Sequence, residues 1–349
     1  MKPPEVFCRR ILPAVSRTFA LNIPVLPAPL DLVVTVAYLL CRIADTLEDE
    51  AQGSVVARVE LLHQFAYLAE LPVGWQIQVQ NFCARAQLLL RAETPAAELE
   101  LLLGTPQVLE AFAELPLWTR PHLARCVRIM TDGMAEVSAS LHGARAVDGL
   151  ADLAATLRYC YFVAGVVGEM LTGLFLEYAP QALPEVEALS SRAAAFGRAL
   201  QLTNILKDIR DDLERGSCWL PKDRMLAHGV VAATLLLPTH RSRSVALLSE
   251  LLEVAKLETD AAFEYCLHLP ASEPGLRLFC LWPLFFAVLT QNALKGNPQV
   301  FEATPVKISR EGVQAVMVAT QERVSSDEAL RTLYRECTEA FSPVRNTGT

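Results

Sequence analysis

The chain has 349 residues, of which 52% are hydrophobic and 20% charged, with a mean hydropathy of +0.29. That is too apolar for a disordered chain and ample for a large core. Lys and Arg number 31 against 39 Asp and Glu, a net charge of −8, which excludes a global electrostatic grip on nucleic acid.

Helical periodicity dominates in chain order. Leu32, Val36, Leu39, Leu40, Ile43 and Leu47 recur at i, i+3, i+4, i+7 across 29–49, which predicts an amphipathic helix. Similar patterns run through 55–70, 76–92, 96–115, 120–140, 150–178, 186–214, 243–268, 275–294 and 310–341. Stop signals fall at Pro27–Pro29, Gly104-Thr105-Pro106, Pro116, Pro180, Gly216, Pro221, Pro270 and Gly296-Asn297-Pro298. Alternating β-branched runs are scarce. No linker or repeat period divides the chain. The expectation is an all-α single domain of about ten helices over residues 1–341, followed by a frayed tail at 342–349.

Nine dispersed cysteines lack any C-x-x-C pair, and six histidines show no metal-ligand spacing. They read as free thiols in a reducing compartment. The start, Met-Lys-Pro-Pro-Glu, lacks the apolar stretch of a secretory signal. The uncharged run Leu278–Leu294 contains Pro283, Gln291 and Asn292 and reads as a buried helix rather than a membrane span. A cytoplasmic protein is expected.

Two acidic segments carry the chemistry. In Arg42-Ile-Ala-Asp45-Thr-Leu-Glu48-Asp49-Glu50, the residues Arg42, Asp45, Glu48 and Asp49 share a broad helical face. Negative charge late in a helix opposes the macrodipole, so a solvated helix end is a poor account of it. In the second segment, Gln201, Asn204, Asp208 and Asp212 follow i, +3, +7, +11 opposite Leu202, Ile205, Leu206, Ile209 and Leu213. Carboxylates at helical spacing without His or Cys suit a hard cation such as Mg²⁺, which takes one or two carboxylates plus phosphate oxygens and water. That chemistry points to ionisation of a diphosphate ester rather than attack by an activated nucleophile.

Asp45-Thr-Leu-Glu48-Asp49 together with Asn204-x-x-x-Asp208-x-x-x-Asp212 resembles the two aspartate-rich motifs of the squalene and phytoene synthases, head-to-head prenyltransferases with the all-α isoprenoid-synthase fold. The likeness extends from Ser16-Arg17-Thr-Phe19 through Tyr159-Cys-Tyr-Phe-Val-Ala-Gly165-x-x-Gly168 to Phe279-Cys-Leu-Trp-Pro283 and Val306-Lys307-Ile308-x-Arg310-Glu-Gly312. The last two stretches resemble the squalene synthase branch.

The resemblance implies that the acidic helices flank a cavity binding Mg²⁺ and two farnesyl diphosphates. Asp45, Asp49, Asp208 and Asp212 would be the metal-facing carboxylates, supported by Glu48 and Asn204. Ser16, Arg17, Arg42, Gln201, Asn204, Lys207 and Arg215 would meet diphosphate, for which a guanidinium fork is well shaped. Tyr159 would serve the first half-reaction and Phe279 a later cation. By local sequence alone, both read as ordinary core aromatics. The resemblance also places NADPH near Lys307 and Arg310; no G-x-G-x-x-G of a Rossmann unit occurs.

Two departures stand out. Lys207 replaces an arginine, and Lys307-Ile308-Ser309-Arg310 stands where the animal-type enzymes read Lys-Ile-Arg-Lys. The C-terminal membrane anchor of eukaryotic squalene synthases is not present, which implies an enzyme of bacterial type with at most peripheral contact at the inner membrane face. The alternatives left open are a dehydrosqualene or phytoene synthase without NADPH, a presqualene diphosphate synthase, and a non-catalytic helical scaffold. Substrate chain length, C15 or C20, and oligomeric state also stay open.

Overall fold

The structure is a computed structural model that describes residues 3–140 and 148–339, except the side chain of Arg17. The 342–349 tail expected from sequence lies outside the described residues. By contacts the chain divides into two compact units, Met1–Ala146 with Leu157–Gly197, and Val147–Thr156 with Arg198–Thr349. Among the described residues there is no strand; two isolated bridges, Ala51–Leu90 and Leu150–Pro221, tie loops together.

The first unit holds α1 (Pro3–Val15), α2 (Arg17–Asn22), α3 (Leu30–Glu50), α4 (Val55–Leu68), α5 (Trp75–Leu89), α6 (Ala96–Leu103), α7 (Thr105–Glu114) and α8 (Arg120–Ser140). It also takes the end of α9 (Leu153–Cys160), a π-helical turn at Tyr161–Gly165, α10 (Val166–Tyr178) and the first half of α11 (Val186–Lys207). α3 is its axis, packing on α1, α4, α6, α7 and α8. Leu30, Val33, Val36, Leu39, Leu40, Ile43 and Leu47 are all fully buried, each contributing about 1.5–3 kcal/mol as its apolar surface leaves water. The buried hydroxyls of Thr35 and Thr46 donate to the carbonyls of Asp31 and Arg42 one turn back, so neither is stranded in the core.

The second unit holds the rest of α11, then α12 (Ile209–Glu214), α13 (Lys222–Ala227), α14 (Arg241–His268), α15 (Pro274–Leu294), α16 (Arg310–Arg323) and α17 (Asp327–Glu339). α15 packs on α14, α16 and α17. Arg277, 3% exposed, ties them by donating to the carbonyls of Leu267, Leu269 and Val324 and to Asp327. Gln291 spans the buried hydroxyls of Thr203 and Thr259 at 2.9 and 2.8 Å. Trp282 donates its indole N–H to Thr320.

The helices are more numerous than the periodicity suggested. α1 lies in a stretch the pattern did not single out; its Pro3 and Pro4 sit in the first turn, where backbone N–H groups have no intrahelical partner. The 96–115 pattern splits at Gly104, with Pro106 opening α7. The 310–341 pattern splits before Asp327, where the Ser326 hydroxyl accepts from Ala329 N–H. Two helical runs, Leu153–Tyr178 and Pro274–Leu294, are long and apolar enough to cross a membrane by composition, but most of each is buried inside the protein. All nine cysteines are free, and all but Cys337 are buried.

Candidate active site

The first acidic segment forms the last two turns of α3. At about 100° per residue, Tyr38, Arg42, Asp45 and Asp49 lie along one stripe. Asp49 is exposed and Asp45 half-buried. The Arg42 guanidinium stands 3.8 Å from the Asp45 carboxylate through Nη1, while Nη2 pairs with Glu98 of α6. Burial pushes the Asp45 carboxyl up to about 7; Arg42 works against this, and Asp49 and Glu98 add repulsion. A third of the side chain still reaches solvent, so this burial is partial.

Glu50 turns away and is held by Arg91 through both carboxylate oxygens, with Thr94 as a third donor. Its role is to fasten the loop after α3. Glu48 points inward, 7% exposed. Its Oε2 accepts a 3.2 Å hydrogen bond from the Tyr159 hydroxyl at the end of α9, and its Oε1 is buried without a hydrogen-bond partner. Burial, Asp49 and Asp45 hold the Glu48 carboxyl well above the usual range. Burial and Glu48 likewise raise the Tyr159 phenol, which therefore keeps its proton.

The segment carrying Tyr159 is positioned by its own backbone. The π turn at Tyr161–Gly165 follows at once, a widened turn of the kind often found at functional sites. Beyond it α10 closes on α11. A Cβ on Gly168 would lie 1.9 Å from the Ala193 carbonyl oxygen, and one on Gly197 would lie 1.9 Å from that of Ala164. Only glycine permits this approach.

Ser16 caps α2, accepting from Phe19 N–H at 3.1 Å. The Tyr38 ring packs 5.0 Å from that of Phe19, and its phenol is raised by burial while the Ser16 hydroxyl and Arg42 pull the other way. Ser16, Tyr38, Arg42 and Asp45 thus form one connected polar row. The Arg17 side chain lies outside the described residues.

In the second unit the predicted stripe survives a change of backbone. Asp208 leaves helical geometry (φ −102°, ψ 16°), separating α11 from α12. Yet Asp208 N–H still bonds Asn204 O and Asp212 N–H still bonds Asp208 O, both at 2.9 Å. Asn204, Asp208 and Asp212 therefore keep one face. Asn204 is exposed, and Gln201, Lys207, Asp208 and Asp212 are half-buried. Burial raises the Asp208 carboxyl, opposed by Lys207 at 3.2 Å. Arg215 donates to Asp212 at 2.6 Å.

Phe279 is 1% exposed within α15. Lys307 and Arg310 are exposed at the start of α16. Ser309, the departure noted in the Lys307–Arg310 segment, is the N-cap of that helix and accepts from Gly312 N–H at 3.0 Å.

The donor sets fit a hard cation by their chemistry. Each acidic helix end offers carboxylate oxygens, with carboxyls lifted by burial and mutual repulsion. Among the described residues no three His, Cys, Asp or Glu side chains converge to hold a metal by themselves.

A profile of the squalene/phytoene synthase family matches residues 12–312. The chain belongs to that family. Among its relatives in the family, squalene synthase of Schizosaccharomyces pombe is 28% identical over 315 residues, covering 89% of this chain and 63% of that protein. Homo sapiens squalene synthase is 28% identical over 315 residues, covering 90% and 69%. The chain thus spans less than two thirds of the S. pombe protein's length. A solved structure of TcSQS with the ligand BPH1237 superposes with TM-score 0.80 at 22% identity, covering 99% of this chain and 94% of that one. A dehydrosqualene synthase in complex with a ligand gives 0.63 at 21%, covering 93% and 97%. These two likenesses show the all-α fold of the family.

Proposed function

We propose that the protein is a squalene synthase, joining two farnesyl diphosphates head to head into presqualene diphosphate and then reducing that intermediate to squalene with NADPH. The observation that carries the reading is the acidic end of α3 with Tyr159 buried against it, in a chain matched to the family over 12–312. Residues 1–341 are read as one prenyltransferase domain.

Asp45 and Asp49, and Asp208 and Asp212 with Asn204, are the residues that would hold Mg²⁺. When bound, the ion neutralises the charge that develops on a departing diphosphate. Arg42 and Arg215 exchange their carboxylate partners for phosphate oxygens, and Lys207, Ser16, Arg17 and Gln201 add donors. Tyr159 keeps the proton on Oη and presents a neutral phenol, which leaves an allylic cation no oxyanion to be trapped by. The buried apolar helices exclude water, which would otherwise capture the cation. Lys307 and Arg310 would hold the phosphates of NADPH, whose nicotinamide supplies hydride, and Phe279 offers a ring face to positive charge. The expected cytoplasmic placement stays part of this reading, and peripheral membrane contact would serve release of the apolar product.

A second reading, a dehydrosqualene or phytoene synthase without NADPH, draws on Ser309, which spends its hydroxyl on capping α16 and brings no charge to the Lys307 segment. Product analysis with farnesyl diphosphate and Mg²⁺, with and without NADPH, separates the readings. Squalene only when NADPH is added supports the first, and a dehydrogenated C30 product in both samples selects the second. Presqualene diphosphate as the end product in both selects a synthase that stops there. Absence of turnover, together with no Mg²⁺-dependent binding of an unreactive substrate analogue, leaves a scaffold. Asp45→Ala and Asp208→Ala are each expected to abolish turnover while the fold persists by circular dichroism; near-normal rates in either variant would remove that residue from the site.

A further inference from the structure

The five-residue run Asp45–Asp49 divides by direction. Asp45 and Asp49 lie within about 40° of each other around α3, whereas Glu48 is turned about 80° from the middle of their stripe. Burial follows the geometry: Asp49 is exposed and Asp45 half-buried, but Glu48 is 7% exposed. What Glu48 faces is Tyr159, itself 4% exposed, whose hydroxyl donates to Oε2 at 3.2 Å. The second oxygen, Oε1, has no hydrogen-bond partner. A buried polar atom left in that state is destabilising, and its retention calls for a reason beyond packing.

The surroundings leave one freedom for Glu48 to fix. Cys160 and Leu47, chain neighbours of the two groups, are fully buried. The backbone beyond Tyr159 is set by the π turn and by the approach of α10 to α11 at Gly168 and Gly197. The ring therefore enters the site at a fixed place, and the direction of its O–H is what remains to be chosen.

We propose that Glu48 is the positioning residue of Tyr159, aiming the phenol O–H through a buried hydrogen bond, and that metal binding in the first acidic segment belongs to Asp45 and Asp49 alone. This rests on the reading of Tyr159 as the residue that acts in the condensation.

The test uses the whole chain as wild type, Glu48→Gln, Glu48→Ala, Asp45→Ala and Tyr159→Phe. One readout is NMR of tyrosine labelled with ¹³C at Cζ, in which the Tyr159 signal is the one that Tyr159→Phe removes. Another is calorimetric binding of a farnesyl thiodiphosphate at varied Mg²⁺. Glu48→Ala is expected to shift the Tyr159 signal and to slow presqualene diphosphate formation roughly tenfold or more. Its Mg²⁺ half-saturation and analogue affinity stay within about twofold, because no ligand is lost. Glu48→Gln, whose amide oxygen still accepts, restores most of the signal position and the rate.

Two results overturn the proposal: a Tyr159 signal indifferent to Glu48→Ala, or a loss of Mg²⁺-dependent analogue binding in Glu48→Gln comparable with that in Asp45→Ala. If the wild-type protein converts no farnesyl diphosphate, the functional reading falls separately, and the Tyr159 signal still decides whether Glu48 positions the phenol.

Discussion

Asp45→Asn tests whether the end of α3 holds its acids at the expense of stability. Folding lifts the Asp45 carboxyl from 3.8 to about 7, chiefly by burial, with Asp49 and Glu98 adding repulsion that Arg42 opposes. An acid whose folded pKa is raised binds its proton more tightly folded than unfolded. Its contribution to stability is therefore complete below about pH 3.8 and is lost as pH rises through about 7. At about 1.4 kcal/mol per pH unit, the whole displacement corresponds to about 4 kcal/mol. Because 34% of the side chain is exposed, solvent screens much of that, and about 1–2 kcal/mol is the expected effect. Asn keeps the shape and cannot ionise. In EDTA, Asp45→Asn should melt about 1.5–3 °C above wild type near pH 8, the offset shrinking as pH falls and vanishing only below about pH 3.8, as followed by circular dichroism. The same variant should have lost turnover. A melting temperature equal to or below wild type near pH 8, or an offset that does not change with pH, would refute the electrostatic account.

Three further outcomes follow from single sites. Gly168→Ala puts a Cβ 1.9 Å from the Ala193 carbonyl oxygen, so α10 and α11 must separate; overpacking costs about 1–3 kcal/mol, and a backbone clash this close belongs at the upper end. A thermal melt within about 2 °C of wild type would contradict the close approach. Ser309→Ala removes the hydroxyl that accepts from Gly312 N–H and should lower denaturant stability by about 1 kcal/mol, whereas Ser309→Asp, another good cap, should not. Tyr159→Phe should block presqualene diphosphate formation, and its accumulation at the normal rate in a rapid-quench assay would take the hydroxyl out of the mechanism.

What was legible in the sequence was what helical period controls. The α3 stripe and the Asn204–Asp208–Asp212 stripe are both where spacing placed them, the second surviving even the non-helical ψ at Asp208. Tyr38 is legible in the same way: it stands at i, +4, +7, +11 with Arg42, Asp45 and Asp49, nearly the spacing of Gln201, Asn204, Asp208 and Asp212. Glu48 was legible only as an acid. Grouping it on the same face as Asp45 and Asp49 missed a rotation of about 80°, which decides whether a side chain meets solvent or core. The π turn was out of reach, because Tyr161–Gly165 inserts no residue type that departs from its neighbours. Ser309 shows a different blindness. Judged against a family motif it is a missing cation, while judged against the backbone it answers the unpaired N–H groups at the start of α16.

The two acidic segments carry the same physical conflict in separate compact units. In each, a carboxyl near the end of a helix is raised by burial, Asp45 against Asp49 and Glu98, and Asp208 against Asp211. In each, the cation supplied by the chain is incomplete compensation: Arg42 is divided between Asp45 and Glu98, and Lys207 faces Asp208 from the adjacent position. Packing alone gives no reason to keep such groups, since Asn would hold the same shape without the charge. A bound cation gives one, because the repulsion that destabilises the empty arrangement becomes attraction once positive charge arrives. The prediction for Asp45→Asn therefore reaches beyond one residue. A gain in stability coupled to a loss of turnover is the signature of acids retained for a ligand, and the corresponding change at Asp208 should have the same sign.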